Sequence, residues 1–202
     1  MVLASASPRL AELLRQIGLS FAVWTGAEEE ETRGVVPASP GVSGPGWTLD
    51  AVRARAGQTA LDKARRAAGA QPDAVVIAAD TMVVVDGVVL GKPATSGEAE
   101  EMLRRLSGRT HYVTTAVVVA HGRRGVTLAD DSTTAVRFRP LRIEEILRYV
   151  ASGEPMDKAG AYGIQGRAAL FVERLEGDYF GVVGLPLALL GRLLADFGVT
   201  VP

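Results

Sequence analysis

Apolar positions along this chain follow two periods that alternate, short runs suited to strands and three-to-four-residue spacings suited to helices. Residues 2–4 read as a short buried strand. Ser7 is placed as a helix N-cap, with Pro8 at the first helical position and Gly18 just past the end. Residues 21–25 form a second strand candidate, and residues 50–68 a long Ala-rich helix closed by Gly69. Residues 74–85 are apolar and β-branched, as a central strand requires, and Asp86-Gly87 is a hairpin signal ahead of a strand at 88–90. Thr95 and Glu98 predict a capping box for a helix ending at Gly108. Strand candidates at 111–120 and 132–138 are joined through a turn region at 122–125. A helix at 143–152 stops at Gly153, a further strand is expected at 169–173, and residues 186–197 read as an amphipathic helix carrying Leu189, Leu190, Leu193, Leu194 and Phe197. Strands and helices alternate with hairpins mixed in, so the predicted fold class is α/β with a mixed sheet.

Length and composition bound the function. The chain has 202 residues, 48% of them hydrophobic and 22% charged. That suits one domain, 1–202, with a core large enough to need no staple. There are no cysteines, which excludes disulfides, thiolate metal sites and cysteine nucleophiles and fits a cytoplasmic protein. The apolar runs are short, so no membrane span is expected. Residues 1–7 carry no basic region and enter a helix signal at once, so no signal peptide is expected. The net charge of −1 has both signs scattered, which argues against bulk attraction to nucleic acid and leaves phosphate binding to a local cluster. A Gly-, Pro- and Ser-rich stretch at about 34–46 reads as a flexible loop, preceded by the acidic run Glu28-Glu29-Glu30-Glu31.

Four segments offer chemistry, each beside a plainer structural alternative. Ser5-Ala6-Ser7-Pro8-Arg9 sits between a strand and a helix, where backbone N–H groups, two hydroxyls and a guanidinium suit phosphate oxygens; it is otherwise a cap with a surface arginine. Asp80 in Ala79-Asp80-Thr81 lies within an apolar strand. It either holds a divalent ion or takes a proton from water in a cleft, or it satisfies backbone groups at a bend. Lys92 in Gly91-Lys92-Pro93 is a fixed positive charge or an ordinary loop lysine, and lacks the context of a Walker A loop. The segment 154–166 packs charged residues, glycines and Gln165 into a stretch without helix or strand periodicity, a ligand loop or an irregular structural one. His111 and His121 have no metal-ligand partner at useful spacing and are assigned to structure, which disfavours a histidine triad or zinc site.

Together these segments resemble the Maf family of nucleotide pyrophosphatases, in order and spacing, over about residues 2–197. The matching stretches are LASASPR at 3–9, Glu28-Glu29, Asp62-Lys63-Ala64, ADT at 79–81, LGKP at 90–93, LSGRTH at 106–111, GEPMDKAGAYGIQG at 153–166 and GLP at 184–186. The resemblance implies an inosine-triphosphate-pyrophosphatase-like fold, an elongated mixed β-sheet flanked by helices in two lobes with a central cleft. It implies hydrolysis of the bond between the α- and β-phosphates, a divalent metal cation (Mg²⁺ or Mn²⁺) and a homodimer. Glu28 and Asp80 are the expected metal carboxylates, with Asp80 the better placed to activate water. Ser5, Ser7, Arg9, Lys63, Lys92 and Lys158 are expected to hold phosphates, and Gln165 to contact the base. One subgroup acts on dTTP and UTP and carries arginine, lysine and glutamine at three discriminating places that match Arg9, Lys92 and Gln165; another acts on 7-methyl-GTP and differs there.

Two departures stand out. Leu10 replaces the family's usual second arginine, and the loop at 32–47 is longer and richer in Gly and Pro. The family's name comes from an association with septum formation, so a nucleotide-binding regulator of cell division with little turnover is a competing expectation. A pyrophosphatase for modified nucleotides is another.

Overall fold

A computed structural model describes residues 1–26, 33–36 and 46–201. Glu28, Glu29 and most of the 32–47 loop lie outside the described residues.

The elements, in chain order, are β1 (Val2–Leu3), α1 (Pro8–Gln16), β2 (Ala22–Val23), β3 (Val35–Val36), α2 (Leu49–Ala70), β4 (Val75–Val85), β5 (Val88–Leu90), α3 (Ser96–Leu106), β6 (Thr110–His121), β7 (Val126–Phe138), α4 (Ile143–Ala151), a run of short 3₁₀ turns between Glu154 and Phe171, β8 (Val172–Glu176), α5 (Tyr179–Val183) and α6 (Leu187–Ala195). Local chemistry sets many of the boundaries. Ser7 stands in extended conformation ahead of Pro8. The Thr48 hydroxyl accepts from the Ala51 N–H to start α2, and the Thr95 hydroxyl accepts from the Glu98 N–H to start α3. The Glu98 carboxylate accepts from the Ala94 N–H, one residue before the expected capping-box donor. Asp86 and Gly87 both take positive φ (49° and 73°), the geometry that lets a two-residue turn follow the twist of β4 and β5.

The sheet is mixed and flanked by helices, as expected. β1 pairs in parallel with β2 and with β4; β4–β6, β6–β7 and β7–β8 are antiparallel, as are β4–β5 and β5–β3. Alternate residues of β4 serve two cores. Val76, Ala78, Met82 and Val84 face α2, whose Val52, Ala56, Ala60, Ala64 and Ala67 are all fully buried. Ile77, Ala79, Val83 and Val85 face the opposite layer, with Leu14 of α1, Leu103 of α3, Ile146 of α4, Leu190 of α6 and Phe138 of β7.

Four expectations are corrected. Gly69 does not close α2, which runs on to Ala70 with Gln71 as its cap, because the packed alanines outweigh one helical glycine. The strand expected at 169–173 is a 3₁₀ turn, Arg167–Phe171, followed by β8 at Val172–Glu176. β7 begins at Val126, six residues before the expected 132, because its exposed first half lacks an apolar pattern but pairs fully with β6. Within the stretch read as a loop at 34–46, Val35–Val36 is a strand against Val89 and Leu90. The short helix α5 was not foreseen.

Candidate active site

One strand edge makes the site. β4 pairs with β6 along the whole of one edge, from Val75 to Val84. On its other edge it meets β1 at Val76 and Ile77 and β5 at Val83 to Val85. Between those contacts, residues 78–82 have no paired strand among the described residues. β1 runs parallel to β4 and β5 antiparallel, so both strands end pointing at this gap. Ser5 follows β1 by two residues, Lys92 follows β5 by two, and Asp80 sits mid-gap. The sheet therefore divides into β1 with β2 on one side of the gap and β5 with β3 on the other.

The resulting cleft has a volume of about 400 Å³. Ser5, Ser7, Arg9, Lys63, Asp80, Lys92, Lys158 and Gln165 all line it, so every expected site residue among those described lies in one cavity. Glu28, expected beside Asp80, lies outside the described residues.

Asp80 is turned toward α2, where Lys63 Nζ donates to Asp80 Oδ1 at 3.0 Å. The two side chains retain only 21% and 17% of their exposure, enough for a ligand to reach them and little enough to limit screening by water. At the β1–α1 turn, the Ser7 N–H donates to Ser5 Oγ at 3.1 Å. The Ser7 hydroxyl is itself buried with no partner among the described residues. A buried hydroxyl without a partner costs free energy that an anionic oxygen at this helix N-terminus would recover.

Asp157 joins two of the expected cations. Arg9 Nη1 donates to its Oδ2 at 2.9 Å and Lys158 Nζ to its Oδ1 at 2.5 Å. Partial burial pushes the Asp157 carboxyl up; the Lys158 hydrogen bond and the Arg9 charge more than reverse this and hold it below the usual carboxylate range. Lys158 also donates to the Glu154 carbonyl at 2.7 Å. Gln165 stands exposed at the rim, not in a buried pocket.

Sequence reasoning missed how this loop is held. The Glu154 carboxylate accepts from the Tyr149 hydroxyl at 3.0 Å and from the Arg167 N–H at 3.2 Å, while the Gly163 N–H donates to the Tyr149 oxygen at 3.1 Å. Tyr149 is thereby kept protonated, its hydroxyl pushed up first by burial and further by the Glu154 charge. A Cβ on Gly166 would lie 2.1 Å from Glu154 Oε1, so any larger residue would push that carboxylate out of its hydrogen bonds. The glycines of the 154–166 block were the available signal; Tyr149, on a neighbouring helix, gave none. His111, read as structural, is fully buried with Nε2 2.8 Å from the Tyr162 hydroxyl and its ring edge-on to Phe138.

The chain is similar to known proteins over nearly its whole length. The family model described as Maf-like protein matches residues 1–197. A protein of Moorella thermoacetica named dTTP/UTP pyrophosphatase is 49% identical over 201 residues, covering 100% of this chain and 96% of that protein. One of the same name from Symbiobacterium thermophilum is 48% identical over 198 residues, 98% of this chain and 94% of its own. Another from Bordetella pertussis is 45% identical over 207 residues, with 100% and 94% covered.

Proposed function

The chain belongs to the Maf-like protein family, and we propose that it hydrolyses nucleoside triphosphates, dTTP and UTP first among them, to the monophosphate and pyrophosphate. The observation that carries this reading is the half-buried Asp80–Lys63 pair at an open strand edge, in a cleft that also gathers Arg9, Lys92 and Lys158. A triphosphate brings about four negative charges, and attack by water at phosphorus needs them neutralised and the reacting groups aligned.

In this reading Arg9, Lys92 and Lys158 hold phosphate oxygens, together with Ser5, Ser7 and the N–H groups at the start of α1. Asp157 orients Arg9 and Lys158, both of which it binds. Lys63 fixes the Asp80 carboxylate, which takes a proton from the attacking water. Gln165 contacts the uracil or thymine edge from the rim, and Lys92 and Arg9 complete the subgroup's trio. A pure binder has no need of a carboxylate set among these cations, which favours turnover over a regulatory role alone.

A divalent cation fits this donor set. Among the described residues no group of three acidic or histidine side chains could hold a metal alone. Mg²⁺ characteristically takes one or two carboxylates and completes its shell with water and substrate phosphates. Asp80 supplies one such oxygen donor, and Glu28 is proposed as the second. When bound, the ion would neutralise phosphate charge. We further propose that the chain acts as a cytoplasmic homodimer without nucleic-acid partners; no helix among the described residues is long and apolar enough to cross a membrane.

The test is product analysis with UTP, dTTP and Mg²⁺. Pyrophosphate and the monophosphate are expected; release of orthophosphate and the diphosphate would reject the reading.

A further inference from the structure

We propose that the Thr81 hydroxyl is a fixed hydrogen-bond acceptor that reads a donor on the nucleoside part of the substrate, an inference that rests on the triphosphate reading above. The hydroxyl chain behind the cleft has one possible polarity. Thr115 is fully buried, and its hydroxyl donates to the Gly181 carbonyl at 2.7 Å. A carbonyl only accepts, and a threonine has one hydroxyl proton. The 2.8 Å contact between Thr81 Oγ1 and Thr115 Oγ1 must therefore be filled by the proton of Thr81. With its donor committed, Thr81 offers only lone pairs to the cleft that it lines.

Both ends of the chain are anchored. Thr115 lies directly opposite Thr81 in the β4–β6 register. Gly181 belongs to α5, where its N–H is capped by Asp178 at 3.0 Å. Reversing this polarity would leave the Thr115 hydroxyl and the Gly181 carbonyl, which also accepts from the Gly184 N–H at 3.1 Å, facing each other at 2.7 Å with no proton between them.

The acceptor selects its partner. Phosphate oxygens at neutral pH are themselves acceptors and are repelled. The water beside Asp80 is not the partner either, because neighbouring strand residues point to opposite faces and Thr81 turns away from the Asp80–Lys63 pair. UTP and dTTP share two neutral donors, the N3–H of the base and the 3′-hydroxyl of the sugar.

Wild type, Thr81→Val and Thr81→Ser are compared by calorimetric affinity and by kcat/KM on UTP, dTTP, N3-methyluridine triphosphate and 3′-deoxythymidine triphosphate. Thr81→Val is expected to weaken UTP and dTTP about tenfold, with Thr81→Ser within about threefold of wild type. One modified nucleotide, already weakened about tenfold with wild type, should lose nothing more with Thr81→Val, and which one it is identifies the donor. Equal losses on all four nucleotides, or no loss on UTP and dTTP, overturn the proposal. Thr81→Ala gives the same comparison where the valine variant does not fold. Nucleotides that bind without releasing pyrophosphate would defeat the proposed function while the affinity comparison still decides Thr81; a wild type that binds none of them overturns both.

Discussion

The two faces of β4 are built from different materials. Against α2 the layer is thin, alanine and valine on both sides, with Ala56, Ala60 and Ala64 fully buried along one helix stripe. On the other face the layer is thick, with leucines from three helices, α1, α3 and α6, and an aromatic group of Phe138, His111, Tyr162 and Phe171. The Asp80–Lys63 pair sits over the thin face. Small residues bring α2 close enough for Lys63 to reach from helix to strand and meet Asp80. The thick face carries a strand-borne set of neutral polar groups, the hydroxyls of Thr81 and Thr115 and the His111–Tyr162 contact, with the Arg9–Asp157–Lys158 network borne by α1 and the loop above it. Close approach serves charge placement, and bulk serves rigidity.

The largest expected effect tests the thick face. Phe138 is fully buried among three aromatic neighbours, so Phe138→Ala should cost about 3–5 kcal/mol in urea unfolding. The thin face should fail in the opposite way, by overpacking: Ala60→Leu is expected to cost about 1–3 kcal/mol and to push α2 from the strand. An Ala60→Leu protein of unchanged stability and activity would show that close approach is not required.

Asp80→Asn tests the charge that the thin face places. It removes a negative charge from the cleft at nearly constant size, and kcat should fall at least about a hundredfold. The unfolding midpoint should move little, because the amide is nearly the same size and its oxygen can still accept from Lys63. Turnover near that of wild type in the folded variant would remove Asp80 from the mechanism.

The difference between the faces also explains what could be read in advance. Local signals were legible: Ser7-Pro8 opening α1, Thr95 opening α3 and the Asp86-Gly87 turn each act within a few residues. Four segments of the cleft were legible as candidates from motif chemistry, and Lys63 only from the family resemblance, since phosphate-suited residues need not be paired to be recognised. Register and cross-element pairing were not legible. Asp157 bridging Arg9 and Lys158 spans 148 residues on one side and a single residue on the other. Thr81 gains its polarity from β6 and α5, neither of which its own segment announces. The apolar run at 168–171 reads equally well as strand or turn, and tertiary contacts with α4 and Phe138 decided for the turn.

Gln165 belongs to the loop that the thick face supports, and its exposure at the rim sets the size of its effect. A neutral hydrogen bond in that position is worth about 0.5–1.5 kcal/mol, or roughly tenfold at most. UTP and dTTP should therefore exceed GTP and 7-methyl-GTP in kcat/KM, and Gln165→Ala should narrow that gap by up to about tenfold while slowing UTP less. A preference of the wild type for 7-methyl-GTP would overturn the subgroup assignment and leave pyrophosphatase chemistry standing.

The most gradual effect, spread over several pH units, concerns acid stability of the thick face. Burial pulls the His111 imidazole from its ordinary 6.5 down to about 3. Between those values the unfolded chain binds a proton that the folded one refuses. This contribution to stability is complete above about pH 6.5 and is lost as pH falls toward 3. The slope from one such group is at most about 1.4 kcal/mol per pH unit. His111→Gln keeps a polar group facing the Tyr162 hydroxyl and cannot titrate, so it should lose stability at neutral pH yet decline less steeply on acidification. Urea midpoints for both proteins from neutral pH down to about pH 4 measure the difference. Parallel curves would place the acid sensitivity elsewhere. Converging curves would assign it to His111, and with it the acid limit on how firmly Tyr162 holds its side of the cleft.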